Sequence, residues 1–213
     1  MDEPELIGSD KKLLSSPRID NLASVAAIVE TMCEKTTGDS LVVAGLFDNE
    51  EIGNRSKQGA DSSLLKDIIM KIGAAFGMEE TEVNDMLRGG FLLSIDGAHA
   101  VHPNYTNKSD ITNDVILGKG ITVKTSASQR YLSDSEATAV VMLLCKKTDI
   151  PYQVQVNRSG MPGGQTLGPI VVSYLPMQGA DIGIPMLAMH SARELADMRD
   201  YQALVMFLKI FSA

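Results

Sequence analysis

The chain is short of cysteine, of positive charge and of long apolar stretches, and each shortage removes a class of protein. Its two cysteines, Cys33 and Cys145, have no Cys or His at metal-ligand spacing, and both fall in helical patterns. Both are expected to be reduced, buried packing residues. With 19 Lys and Arg against 27 Asp and Glu, the net charge is −8 at pH 7, and no cluster of cations is present to hold a phosphate backbone. Nucleic acid is not an expected partner. Purely apolar runs such as Leu41 to Phe47 fall far short of the roughly 20 residues that a membrane helix needs. Met1-Asp2-Glu3-Pro4-Glu5 is acidic where a secretory signal would be basic and then apolar. No membrane association is expected, and the expected location is cytoplasmic.

Two further absences narrow the chemistry. The loop Gly160-Met161-Pro162-Gly163-Gly164-Gln165-Thr166 lacks the lysine and the strand-to-helix spacing of a phosphate-binding loop. No Gly-x-Ser-x-Gly elbow is present to carry a serine nucleophile.

What the chain does have is a balanced globular composition, 44 % hydrophobic and 22 % charged, in 213 residues that can bury a core without disulfides. Leu22, Val25, Ala26, Val29, Met32 and Cys33 recur at helical spacing and predict a helix over Asn21 to Lys35, stopped by Gly38. Leu41 to Phe47 reads as a strand buried on both faces. Leu64 to Phe76, closed by Gly77, reads as a second helix, and Val83, Met86 and Leu87 mark a shorter one. Phe91 to Ile95 is the next buried strand. A polar loop over Gly97 to Asn113 leads into a β-rich stretch from Val115 to Lys124. Ser133 with Glu136, and Ser191 with Glu194, match the capping box that opens a helix. Tyr152 to Asn157 alternates as a strand, Thr166 to Leu175 suits a helix, Asp181 to Met189 is strand-like, and a last helix covers Tyr201 to Phe211. Strands alternating with helices predict an α/β layered fold with a largely parallel sheet.

In such sheets, sites collect beyond the carboxyl ends of strands, and acids recur there. Asp20 stands at a helix start, Glu50 and Glu51 follow one strand, Asp96 another, and His190 a third apolar segment. Carboxylates with one imidazole and no thiolate suit zinc, manganese or cobalt at a hydrolytic site. Adjacent glutamates in extended backbone point apart, so one can bind metal while the other handles protons. From spacing alone, Asp20 is more often only a helix N-cap, Glu50-Glu51 more often a solvated turn, and His190 more often a hydrogen-bonded core or surface histidine.

Five segments carry a more specific signal: Ser16-Pro17-Arg18-Ile19-Asp20-Asn21-Leu22, Phe47-Asp48-Asn49-Glu50-Glu51-Ile52-Gly53, Asp96-Gly97-Ala98-His99-Ala100-Val101-His102-Pro103-Asn104-Tyr105, Gln129-Arg130-Tyr131 and Leu187-Ala188-Met189-His190-Ser191-Ala192-Arg193-Glu194. In this order they resemble the aspartyl aminopeptidase family. The resemblance implies the catalytic-domain portion of a two-zinc exopeptidase that removes N-terminal Asp or Glu from peptides, works as a large homo-oligomer, and is about twice this length. It implies a three-layer α/β sandwich with a central, largely parallel mixed sheet, incomplete at the N-terminus, all of residues 1–213 being one such portion.

Carried onto this chain, the resemblance makes Asp20 the ligand shared by both metals. Glu51 and His190 complete one metal, Asp96 binds the other, and Glu50 is the general base. For the acidic first residue of the substrate, Lys124 is the candidate cation, an exposed strand lysine being the equal alternative; Tyr131 and Thr166 are hydrogen-bond donors to substrate. His99 is expected to support the metal ligands from behind, and His102 to order its loop. Two departures stand out. The family's remaining ligand, a His in an upstream His-x-Asp motif, has no counterpart here, and Gly97 replaces a frequent Met. A relative impaired in catalysis and acting as a structural or interaction protein, or a two-metal aminopeptidase of other specificity, are the rival readings.

Overall fold

Alternation of apolar and polar side chains along short β-rich segments, and apolar stripes at helical spacing between them, build the elements. The computed structural model describes residues 2–34, 40–161 and 163–213. In chain order the elements are β1 (Glu5–Ile7), β2 (Leu13–Ser16), α1 (Ile19–Glu34), α2 (Leu64–Ala75), α3 (Glu80–Arg88), β3 (Phe91–Ile95), β4 (Ala98–His99), β5 (Ile121–Thr125) and α4 (Ser135–Lys147). β6 (Tyr152–Val156), α5 (Gly168–Val171), β7 (Gln178–Gly183), β8 (Pro185–Leu187), β9 (Glu194–Asp197) and α6 (Met198–Phe211) complete them.

The central sheet is mixed, in the order β3-β7-β5-β6. β3 runs parallel to β7, β5 antiparallel to β7, and β6 parallel to β5. Its two faces bury different cores. Ile121, Val123, Ala180 and Ile182 join residues of α1, α4 and α6, whereas Leu92 packs with Ile69, Val83, Leu87 and Val171 from α2, α3 and α5. Both faces are thus covered by helices, as the three-layer expectation requires. A second sheet, β1-β2-β9-β8-β4, was not legible in the sequence; it is antiparallel except where β4 pairs with β8.

Several expectations are corrected. Leu41 to Phe47 forms no strand and has no ladder partner among the described residues, and Leu41 and Leu46 are 53 % and 49 % exposed. Hydrophobicity marked the run for burial, but a strand needs a neighbour to take its backbone hydrogen bonds. α4 is capped by Asp134, whose Oδ1 accepts from the Ala137 amide, and Ser133 instead takes its hydroxyl to the Asp181 amide. Ser191-Glu194 opens no helix, because Glu194 starts β9. Of Thr166 to Leu175 only Gly168–Val171 is α-helical, and Val115 and Ile116 precede the strand instead of belonging to it. Cys145 is buried as expected, but Cys33 is exposed; both are free thiols. Lys35 and Gly38, the expected end and stop of α1, lie outside the described residues.

Candidate metal centre

Asp20 opens α1 in a non-helical conformation, joined to Asn21 by a cis peptide bond. The Asn21 Nδ2 donates to the Ile95 carbonyl at 2.9 Å, tying this turn to the end of β3, immediately before Asp96. Glu50 and Glu51 lie on a single 3-10 turn, Glu50–Ile52, instead of the extended backbone expected of them. His190 follows β8. Four non-glycine residues beside or within this set, Arg18, Asn49, Ala188 and His190, hold φ of +60°, +69°, +57° and +66°. Left-handed backbone at such residues costs on the order of 1–3 kcal/mol each and persists only where the surroundings fix it.

The side chains converge. His190 Nε2 lies 3.0 Å from Asp20 Oδ2 and 3.1 Å from Glu51 Oε2, and one ligand atom from each of the three falls within 4.8 Å of the others. The Asp20 side chain is 4 % exposed, and its Oδ1 has no hydrogen-bond partner among the described residues. Burial, then the negative charges of Asp96 and Glu51, push the Asp20 carboxyl up to about 7. Burial, then Asp96 and Glu51, raise Glu50 to about 7 as well. At His190, desolvation is opposed and outweighed by Glu51 and Asp20, which raise the imidazole. Crowded, partly buried carboxylates pushed toward their protonated forms, with an unpartnered oxygen among them, are a donor set short of positive charge. Two carboxylates and an imidazole within this reach fit a zinc-type cation, which would return those acids to their ionised forms.

Asp96 stands at the wall of the same cavity, of about 120 Å³, with Glu50, Lys124, Tyr131 and Thr166. Its Oδ1 accepts from the Gly97 amide at 2.8 Å, and its Oδ2 is 3.7 Å from Lys124 Nζ. Lys124 is not the exposed strand lysine of the alternative reading: it is 2 % exposed, with Nζ 5.6 Å from the Tyr131 ring centroid. Thr166 is buried on the same wall. His99 lines the cavity, where desolvation, then Lys124 and His190, hold its imidazole toward the neutral form. His102 orders its loop, Nδ1 accepting from the Asn104 amide at 3.1 Å and its ring tilted against Tyr105. At Gly97 a Cβ would stand 2.7 Å from Met186 Sδ and 3.2 Å from Asp20 Oδ1, so Met186 occupies the space that a larger residue 97 would claim.

Sequence reasoning missed Glu194. Its Oε2 accepts from the Asp20 amide at 2.8 Å and its Oε1 from the His190 amide at 2.7 Å, so one buried carboxylate holds the main chain of two candidate ligands. It also missed Gln155 and Asp181. The visible signal for both was a polar residue in a strand whose neighbours are apolar. Directly across the sheet, Ser94 faces Asp181, Asp181 faces Lys124, and Lys124 faces Gln155, a buried polar row over all four strands.

Layered α/β architecture with this donor set beside a cavity is a framework with room for a metal cation. The chain belongs to the Aminopeptidase I zinc metalloprotease (M18) family, whose sequence model matches residues 1–212. It is 42 % identical over 196 residues to a probable M18 family aminopeptidase 2 of Clostridium novyi, a match covering 92 % of this chain and 45 % of that protein. It is 34 % identical over 209 residues to the aspartyl aminopeptidase of Caenorhabditis elegans, covering 95 % of this chain and 44 % of the relative. A solved structure of Ape4 in complex with Nbr1 superposes with a TM-score of 0.90 at 32 % identity, over 99 % of this chain and 41 % of that one. The chain spans about half the length of the curated relatives it matches.

Proposed function

We propose that this chain carries the metal-binding and acid-recognising part of an aminopeptidase that removes N-terminal Asp or Glu from peptides. The observation that carries the reading is the convergence of Asp20, Glu51 and His190 beside a buried Lys124. The name aspartyl aminopeptidase borne by the nematode relative supports the acidic preference.

Asp20, Glu51 and His190 would hold one zinc, and Asp20 with Asp96 a second; manganese or cobalt suits the same donors. When bound, such cations lower the pKa of water and polarise a carbonyl. Glu50, raised to about 7, accepts the proton of the attacking water and returns it to the leaving amine. Lys124 Nζ pairs with the carboxylate of the substrate's first side chain, and Tyr131 and Thr166 hydroxyls donate to the substrate or to the developing oxyanion. Among the described residues no second histidine joins the acids, so the Asp96 side offers only carboxylates, which hold zinc weakly.

The test is zinc analysis of the 213-residue chain with hydrolysis of a panel of aminoacyl substrates. We expect nearer one zinc than two per chain at micromolar zinc, loss of that zinc in His190→Ala, and low residual turnover confined to Asp and Glu substrates. In Lys124→Met the preference for Asp over Ala should vanish. Zinc retained by His190→Ala would overturn the ligand set, and equal rates on Asp and Ala substrates the specificity.

A further inference from the structure

Beside the metal-centre cavity lies a larger one, of about 440 Å³, that the proposed chemistry leaves unused. The two adjoin, sharing His99, Gln155, Gly164 and Met189 as walls. The size is that of a small-molecule site, well above what one side chain needs.

Gln155 stands at the junction. On β6 it lies directly opposite Lys124 of β5, so both side chains leave the same face of the sheet. It is 6 % exposed, and its Oε1 has no hydrogen-bond partner among the described residues. A buried acceptor left unpaired is costly unless a ligand satisfies it. The larger cavity also runs against the charge of the whole. In a chain of net charge −8, its walls carry two cations, Lys108 and Arg158, against one acid, Asp110. Asp110 Oδ1 is already engaged by Thr112 and Asn113, whereas the side chain of Arg158, whose carbonyl accepts from the Met161 amide, makes no ion pair or hydrogen bond among the described residues. Lys108 Nζ lies over the Tyr105 ring, 5.2 Å from its centroid, and adds positive potential.

We propose that this second cavity binds the part of a peptide that follows the scissile bond, and that it selects short peptides ending there in a free carboxylate. Gln155 Oε1 accepts a main-chain N–H of that part, and Arg158 takes the terminal carboxylate in a charge-assisted pair. The inference rests on the smaller cavity being the seat of the N-terminal residue.

The probes are the tripeptide Asp-Ala-Ala and its C-terminal amide, titrated into the full chain with zinc withheld so that the peptide survives. Binding is read from the methyl resonances of Met161, Met186 and Met189, which line the larger cavity, against Met206 on α6 as a control. The free acid should bind about tenfold tighter than the amide, the scale of one charge-assisted contact. That difference should vanish in Arg158→Ala and survive in Lys124→Met, while Gln155→Met, matched in volume, should weaken both peptides alike. Absence of shifts with either peptide, or a carboxylate preference that survives Arg158→Ala, overturns the inference. Should Gln155→Met fail to fold, the partly exposed Arg158 still decides. With zinc then restored, peptides that bind through these methyls but are never hydrolysed uphold the cavity and count against the activity; Asp-selective hydrolysis indifferent to the terminal carboxylate does the reverse.

Discussion

Glu194 shows how much of a site can rest on a residue that never touches a ligand. Its two oxygens accept from the amides of Asp20 and His190, 174 and 4 residues away in sequence, and fix where those side chains begin. Glu194→Ala would leave both amides unpaired beside the site and release the left-handed backbone of His190. Zinc affinity, measured by competition with a chelating dye, should fall about 10–100-fold, the range for partners that orient metal ligands. Glu50→Gln makes the contrasting case: zinc content should be unchanged and turnover should drop at least about 100-fold, the lower end for a general acid–base. Near-normal turnover would remove Glu50 from the mechanism. The sequence made Asp20, Glu51 and His190 legible because each sits in a recognisable segment, and the structure brings those three together. Glu194 sat in one of the same segments but was read as a helix cap, since Ser-x-x-Glu carries no mark of whether a helix or a strand follows. Gln155 and Asp181 escaped because their meaning lies in cross-strand register with Lys124, which no local pattern encodes.

At the scale of elements, strands and helices with strong periodicity were legible to within a few residues. α2, α3 and β3 fall where apolar spacing puts them. Those that failed depended on neighbours. Leu41 to Phe47 has strand composition without a strand's partner, whereas the short strands β2 and β9 pair with each other across nearly the whole chain, β4 pairs with distant β8, and β1 is held at the edge by β2. The junction of β7 with β3 is the tightest of these pairings near the site. A Cβ on Gly183 would lie 1.7 Å from the Asp96 carbonyl oxygen, a backbone atom that cannot rotate away. Gly183→Ala therefore has to push apart the strand ends that present Asp96. It should cost about 1–3 kcal/mol in urea denaturation, as overpacking does, with weaker zinc binding in the same protein. An unchanged midpoint would mean that β3 and β7 are not held this closely.

Over the whole molecule, acids dominate, and one of them makes stability depend on pH away from the site. Asp200, on α6, is fully buried and accepts from the amides of Gly118 and Gly120 at 2.6 and 2.7 Å. Burial nevertheless raises it from 3.8 to about 6. The folded state thus favours the protonated form: the stabilisation is complete below pH 3.8 and is lost as pH rises toward 6, by roughly 3 kcal/mol. Urea midpoints from pH 4 to 7 should lose this slope in Asp200→Asn, and a difference between the two proteins that is flat in pH would refute it. The pairing of β2 with β9 and the contact of Asp20 with His190 bring the start of the described chain against its end, 170 residues apart at the latter. A cation gripped by both would act as a removable cross-link closing nearly the entire polypeptide into a ring, and closing so long a loop removes much freedom from the unfolded chain. Chelation should then lower the melting temperature by several degrees, and a chain cut once in the Thr106–Lys108 turn should stay in one piece with zinc and part more readily without it.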